Sequence, residues 1–196
     1  MKMISLTNAA RERGISLIEA VLYLVIALAV IVGGIVFFQQ AQLSSSVTDT
    51  ARAGVSISSE TRGLYQNQRS FGTGDITSAL VSAGAVPSNF QDDAGNIVHP
   101  FDGTVRVDGN VDGFAVTFVD FSEAACLRLG SVGEGKQGQL GTGIEGLTIA
   151  EDNTTLFPGT GTTPVAPATL APVTAATLQT ACSAAADIDM TVFYNR

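Results

Sequence analysis

Apolar residues fill the chain almost without interruption from Ile15 to Phe38, directly after a short basic leader. This run has 24 residues, and about 20 apolar residues suffice for a helix to span the hydrocarbon of a bilayer. The pattern predicts a transmembrane helix with one exception, Glu19. Because a carboxylate in such a segment costs about 2.5–3.5 kcal/mol to insert, we expect Glu19 to have a partner and a function. The alternative to a functional role is that Glu19 lies near the end of the span and simply reaches the headgroups.

The helical pattern continues past Phe38 but becomes one-sided. Small and apolar residues recur in alternating steps of four and three, which is one face of a helix: Leu43, Val47, Thr50, Gly54, Ile57, Thr61 and Leu64. We therefore predict a single helix from Ile15 to about Tyr65, whose first half protrudes and whose second half packs on a globular domain. Gly33-Gly34 is its weak point, either as a surface for close helix packing or as a place where the helix melts.

The remainder of the chain predicts short helices and an antiparallel sheet of three or four strands, an α+β fold. Short helices are predicted at 75–84, 122–129 and 175–182, and strands at 104–107, 114–120, 147–149 and 187–194. Glycines make Gly130–Gly146 mostly loop, and Phe157–Pro172 is predicted to be an exposed irregular excursion.

Charge placement predicts the orientation of the segment. Lys2, Arg11 and Arg13 precede it, and the next basic residue is Arg52, so the N-terminus is expected in the cytoplasm and the domain outside. The whole chain has ten basic and eighteen acidic residues. Such an acidic surface argues against nucleic acid as a partner, since phosphate binding needs basic patches.

Cys126 and Cys182 are the two cysteines of the chain. On the exported side of a membrane two cysteines most often pair. The bridge would close a loop of roughly 57 residues, which the chain-entropy description credits with about 4 kcal/mol. Two separately buried thiols are the alternative.

Little in the sequence indicates an enzyme, a metal site or a cofactor. His99 is the only histidine and precedes Pro100, which favours a turn residue over a catalytic one. The acidic residues Asp102, Asp108 and Asp112 fit no calcium-loop spacing, and solvated turns explain them. Asn153-Thr154-Thr155 matches a glycosylation pattern that we attribute to chance.

The leader, Gly14 and the segment that follows resemble a type IV prepilin. Gly14-Ile15-Ser16-Leu17-Ile18-Glu19 matches the class signature of a basic leader, a glycine, an apolar helix and an acidic residue five positions after the glycine. Farther along, Ile76–Pro87, Pro100–Val105 and Phe114–Phe118 with Cys126-Leu127 look like the type IVb pilins, including the toxin-coregulated, bundle-forming and conjugative thin-pilus types. Ile15 stands where the commonest pilins carry Phe, which favours the b class.

The resemblance implies a division of the chain into a leader at 1–14, a transmembrane and filament-core half-helix at 15–38, and a globular pilin domain at 39–196. A prepilin peptidase would cleave between Gly14 and Ile15 and methylate the new amine. Glu19 of an incoming subunit would pair with that amine on its neighbour, and Cys126–Cys182 would close the C-terminal disulfide region.

The resemblance also implies partners and places. These are further copies of the chain in a helical filament, the peptidase, and an inner-membrane assembly machinery. The protein would lie in the inner membrane with its domain in the periplasm, and later in an extracellular pilus. Two alternatives are a pseudopilin of type II secretion and an unrelated single-span anchored binding domain. The biological role of the fibre and its receptor are not predicted by the sequence.

Overall fold

The computed structural model of the chain describes residues 16–133, 137–150, 173–183 and 188–196. The chain folds into two compact units, one up to Gln42 and one from Leu43 onward. Helix α1, Leu17–Tyr65, contributes to both units as one element of 49 residues. Its end at Tyr65 confirms the sequence prediction, whereas the predicted start at Ile15 lies outside the described residues.

The second unit alternates short helices with strands. After α1 the elements in chain order are β1 Gly74–Asp75, α2 Thr77–Ser82, a 3₁₀ turn at Ser88–Phe90, β2 Ile97–Val98, β3 Thr104–Gly109, β4 Gly113–Phe121, α3 Glu123–Leu129, β5 Gln137–Gly138, β6 Gly141–Thr142, β7 Ile144–Ala150, α4 Ala175–Cys182 and β8 Ile188–Asn195. The arrangement confirms the predicted α+β fold.

Six strands form one antiparallel sheet in the order β1-β3-β4-β8-β7, with β2 also paired to β3. The C-terminal strand β8 lies between β4 and β7, where Val192 is opposite Val116 on one side and Leu147 on the other. Since β8 is hydrogen-bonded on both edges, the end of the chain is part of the core of the sheet rather than its margin. Strands β5 and β6 form a separate two-stranded hairpin.

One face of α1 packs against this sheet, as the four-and-three spacing predicted. Its buried residues are Val47, Thr50, Ala53, Gly54, Ile57, Ser58 and Thr61. Gly54 allows the closest approach, because a Cβ there would lie 2.8 Å from Leu140 Cδ2 and 3.1 Å from the Phe118 ring. Leu64, the last member of the predicted face, is 40% exposed.

The two cysteines form a disulfide, which excludes the alternative of two separate thiols. Cys126 on α3 and Cys182 at the end of α4 are bonded, with their Cα atoms 6.0 Å apart. Both are fully buried beside Leu129 and Leu178. The bond therefore fastens two short helices that are 56 residues apart in sequence.

The sheet is larger than the sequence predicted. Strands β1 and β2 have two residues each and carry no recognisable period. Strand β7 begins at Ile144 rather than Leu147, and the region assigned to loop also contains β5 and β6. Tertiary pairing forms these elements, since glycine-rich or two-residue segments have no strand preference of their own. Residues 157–172 lie outside the described residues.

The prediction that Asp108 belongs to a solvated turn is wrong. Asp108 lies in β3, and its side chain is 0% exposed. Arg106 Nη2 donates to Asp108 Oδ1 at 2.6 Å. Burial raises the pKa of the Asp108 carboxyl, while the hydrogen bond and charge of Arg106 oppose that rise. Asp108 is therefore a buried, paired group of the sheet.

His99 begins a turn, as predicted, but it is 3% exposed rather than on the surface. Its Nε2 lies 2.7 Å from the Val119 carbonyl oxygen, and its Nδ1 accepts from the Phe101 backbone N–H at 3.3 Å. Both contacts are satisfied only by the neutral ring with its proton on Nε2. Burial lowers the pKa of His99, against the opposing effects of the Val119 hydrogen bond and of the Asp120 and Asp102 charges.

We expect Cys182→Ser to destabilise the second unit, because it removes a covalent link between α3 and α4. The expected loss in the free energy of unfolding is about 2–5 kcal/mol, measured by thermal or urea unfolding in detergent. Ser183→Ala, at the exposed neighbouring residue, is the control. Equal unfolding midpoints for the two variants, with normal fibre yield, would contradict a structural role for the disulfide.

The buried neutral ring of His99 predicts a loss of stability in mild acid. The unfolded chain takes up a proton near the ordinary histidine pKa of about 6.5, and the folded state resists it. Unfolding free energy should thus decrease as the pH falls below about 7, by at most about 1.4 kcal/mol per pH unit for one proton. His99→Gln keeps a donor but does not titrate, so its slope between about pH 7 and 5.5 should be shallower. Identical slopes would refute the assignment.

Candidate functional site

The predicted site residues fall into two groups. Gly14 and Ile15 lie outside the described residues, so the cleavage site stays a prediction. Glu19 lies in the first turn of α1, within the N-terminal unit. A carboxylate in the first turn is favoured by the positive end of the helix dipole. The position alone thus accounts for part of the stabilisation of a charge in an apolar segment.

Ser16 provides the cap at which α1 begins. Its Oγ accepts a hydrogen bond from the Glu19 backbone N–H at 3.2 Å, and its carbonyl accepts from the Ala20 N–H at 3.0 Å. Serine at the cap with glutamate three residues later is the spacing of a capping box. This Ser-x-x-Glu spacing is present in the sequence and could have indicated where the helix starts. Helix α1 therefore starts next to the predicted cleavage site.

Tyr23 contacts the Glu19 carboxylate one turn farther along. The Tyr23 hydroxyl is directed at Glu19 Oε1 across 3.5 Å, which is a long hydrogen bond for two oxygen atoms. Residues four apart on a helix are neighbours on the same face. Both side chains are exposed. This contact was not predicted, although the i, i+4 spacing could have indicated it.

The surface around these residues is apolar and uncovered within the chain. Every large apolar side chain from Leu17 to Phe38 is at least 50% exposed, and Leu17 reaches 84%. Among the described residues, α1 is the one helix long and apolar enough to cross a membrane. Exposed apolar surface of this extent marks contact with a membrane or with other proteins.

The helix is continuous at Gly33 and Gly34. Both residues are helical, and a Cβ added at either would meet nothing within 4 Å. In the isolated chain the glycine pair therefore neither breaks α1 nor contacts another described segment. It leaves a shallow, smooth place on the helix surface, where a neighbouring helix can approach closely.

The region 130–146, which was predicted to be mostly loop, contains an ordered turn. Gln139 and Leu140 form this turn between β5 and β6. A side chain of β8 stabilises the turn, because the Tyr194 hydroxyl donates to the Leu140 carbonyl at 2.6 Å. Gln139 borders a shallow groove with Arg52 and Val55 on the exposed side of α1. The turn is therefore fixed by a hydrogen bond from the sheet and is not a free loop.

No arrangement typical of catalysis occurs in the described part of the chain. There, no three histidine, cysteine, aspartate or glutamate side chains come together as metal ligands. His99 has both ring nitrogens engaged by the backbone. Of the residues predicted to act in processing or assembly, the one within the described residues is Glu19, at the start of α1.

Comparison with protein families gives one match that covers most of the chain. A family described as PilS N terminal matches residues 45–194. The matched region begins inside α1 and extends to the penultimate residues of β8. It contains both cysteines and all of the sheet except Asn195, the last residue of β8.

Two curated proteins are similar to the chain over most of their length. Both are described as "Major structural subunit of bundle-forming pilus", one from Escherichia coli O111:H- and one from Escherichia coli O127:H6 (strain E2348/69 / EPEC). Each is 30% identical over 158 residues, which is 76% of this chain and 78% of the relative. No solved structure gives a significant match.

Proposed function

The chain belongs to the type IVb pilin family, and we propose that it is made as a prepilin that is cleaved between Gly14 and Ile15. As a member of that family it is a structural pilus subunit and not an enzyme. The proposal divides the chain into a leader at 1–14, a half-helix at 15–38 that lies first in lipid and then in the filament core, and a pilin domain at 39–196.

A prepilin peptidase and an inner-membrane assembly machinery are the proposed partners before assembly. Lys2, Arg11 and Arg13 hold the leader at the cytoplasmic face, so the domain lies in the periplasm. Gly14 is small enough to enter a membrane-level active site together with the scissile bond. After cleavage only the apolar surface of the helix anchors the protein in the membrane. The helix can then be withdrawn from the membrane into a filament.

The exposed apolar surface of α1 is the observation that carries the proposal. Its side chains from Leu17 to Phe38 are uncovered within the chain and fit both lipid and a bundle of like helices. Burial of apolar surface contributes roughly 25 cal/mol per Å². A bundle of α1 helices would therefore replace lipid contacts by helix contacts with little change in apolar burial. The apolar surface by itself then selects no particular register between helices.

Glu19 supplies the register in this proposal. Cleavage creates an α-amine on Ile15, which is mostly protonated at neutral pH. In a filament core the carboxylate of one subunit pairs with the amine of its neighbour. A slip by one helical turn, about 5.4 Å, would separate the pair and leave two unpaired charges in a medium of low dielectric constant. Correct register is favoured because every other register carries this cost.

Cleavage after Gly14 predicts the N-terminus of the mature protein. Intact-mass and N-terminal peptide analysis of the protein in sheared fibres should give a chain that starts at methylated Ile15. Gly14→Ala keeps a small residue and should be processed less completely, whereas Gly14→Arg should leave the leader in place. A retained Met1 in assembled fibres would refute the cleavage.

Removal of the Glu19 charge should impair assembly without impairing insertion. Glu19→Val should leave the protein in the membrane at a normal level and reduce fibre yield by at least about tenfold, since loss of one buried ionic contact is expected to cost more than about 1.4 kcal/mol. Val25→Leu changes an exposed apolar residue of the same segment and is the control. Normal fibres with normal helical spacing from Glu19→Val would overturn the role of the charge.

A further inference from the structure

The hydrogen-bonding side chains of the apolar segment are few and lie together. From residue 16 to Phe38 only Ser16, Glu19 and Tyr23 carry a side chain that can make a hydrogen bond. Their spacing of three and four puts them on one face of α1. An apolar segment with scattered polar residues would not show this grouping.

Glu19 contacts each of the other two residues in the isolated chain. Ser16 Oγ is engaged by the Glu19 backbone N–H, and the Tyr23 hydroxyl donates to Glu19 Oε1. Within the described residues, Tyr23 is the side chain that hydrogen-bonds to this carboxylate. A carboxylate accepts about four hydrogen bonds through its two oxygens, so Oε2 can still accept a further donor.

The direction of the Tyr23 side chain fits this contact. Side chains on a helix lean toward its N-terminus, so the ring of Tyr23 lies over the turn that holds Glu19. Tyrosines in membrane segments usually lie at the interface with water. Tyr23 is eight residues past Ile15, about 12 Å along the helix, which is deep for an interfacial tyrosine in a hydrocarbon layer about 30 Å thick.

We propose that Tyr23 is the second ligand of the Glu19 site, where its hydroxyl holds one carboxylate oxygen while the other receives the α-ammonium group of a second copy of this chain. The inference rests on the proposed role of Glu19 and adds a residue to it. In the bilayer the phenol is a local donor for a carboxylate that has no subunit partner yet. In the fibre the carboxylate is shared between the phenol and the ammonium group.

The low dielectric constant of both environments makes this hydrogen bond matter. A hydrogen bond to an ionised group is stronger than one between neutral groups, and it is stronger still away from water. The phenol also restricts the orientation of the carboxylate, since it engages Oε1. Oε2 is thereby presented to the neighbouring helix in a restricted set of directions, which sharpens the choice of register.

The test compares hydroxyl deletions on α1 in the full-length protein. Tyr23→Phe keeps the ring and removes only the donor. Tyr65→Phe is the matched control, because it removes a hydroxyl from the other end of α1, where the ring of Tyr65 packs on Phe71. Total pilin, membrane pilin and sheared-fibre pilin are measured for each variant, with Glu19→Val in parallel.

We expect Tyr23→Phe to lower the fibre fraction by roughly threefold to tenfold, as for the loss of one hydrogen bond of ordinary strength, with membrane pilin unchanged. Tyr65→Phe should assemble normally. Incorporation of 4-aminophenylalanine at position 23 restores a donor and should restore assembly, whereas 4-methylphenylalanine, which fills the same space without a donor, should not.

Two results would overturn the inference. One is a fibre fraction for Tyr23→Phe equal to that of Tyr65→Phe, and the other is a defect that 4-aminophenylalanine fails to repair. If Glu19→Val is defective in the same experiment, only the role of Tyr23 is refuted. If Glu19→Val assembles normally, the proposed pairing of Glu19 itself is refuted.

Discussion

The structure depends on one constraint. The apolar surface of α1 from Leu17 to Phe38 must be kept away from water. No described part of the chain covers it, and water is a poor environment for surface of this extent. Lipid and other copies of the same helix both meet the requirement. Under the proposed function this half-helix moves from the first to the second, and so passes between two apolar environments without exposure to water.

The second unit is built so that this change need not disturb it. Its core begins at Val47 and includes side chains from α1, the sheet and the two disulfide-linked helices. The polar residues on the buried face of α1 are satisfied within the helix, since Thr50 and Thr61 each donate to a carbonyl four residues earlier. The C-terminal strand β8 is paired on both edges. Each of these features ties distant parts of the chain to the second unit itself.

The sequence predicted the parts of the fold that depend on local pattern. The end of α1 at Tyr65, its buried face from Val47 to Thr61 and the final strand all follow from the periodic spacing of apolar residues. The two-residue strands, the β5–β6 hairpin and the burial of His99 depend on contacts between distant segments, such as His99 Nε2 with the Val119 carbonyl. At the site, the motif indicated Glu19, whereas the geometry added the contacts of Ser16 and Tyr23, whose spacing from Glu19 the sequence already contains.

A narrow polar face resolves the conflict between solubility in lipid and specificity in the fibre. More charged residues on α1 would define register more strongly, but each would add about 2.5–3.5 kcal/mol to the cost of insertion in the bilayer. A single carboxylate, capped at its backbone by Ser16 and contacted by Tyr23, confines that cost to one turn near the end of the span. Polar residues isolated in an apolar interface are the usual way to fix register at some expense of stability. Under the proposed function, the carboxylate that is costly to insert in lipid is therefore also the group whose pairing favours one helix register over the others.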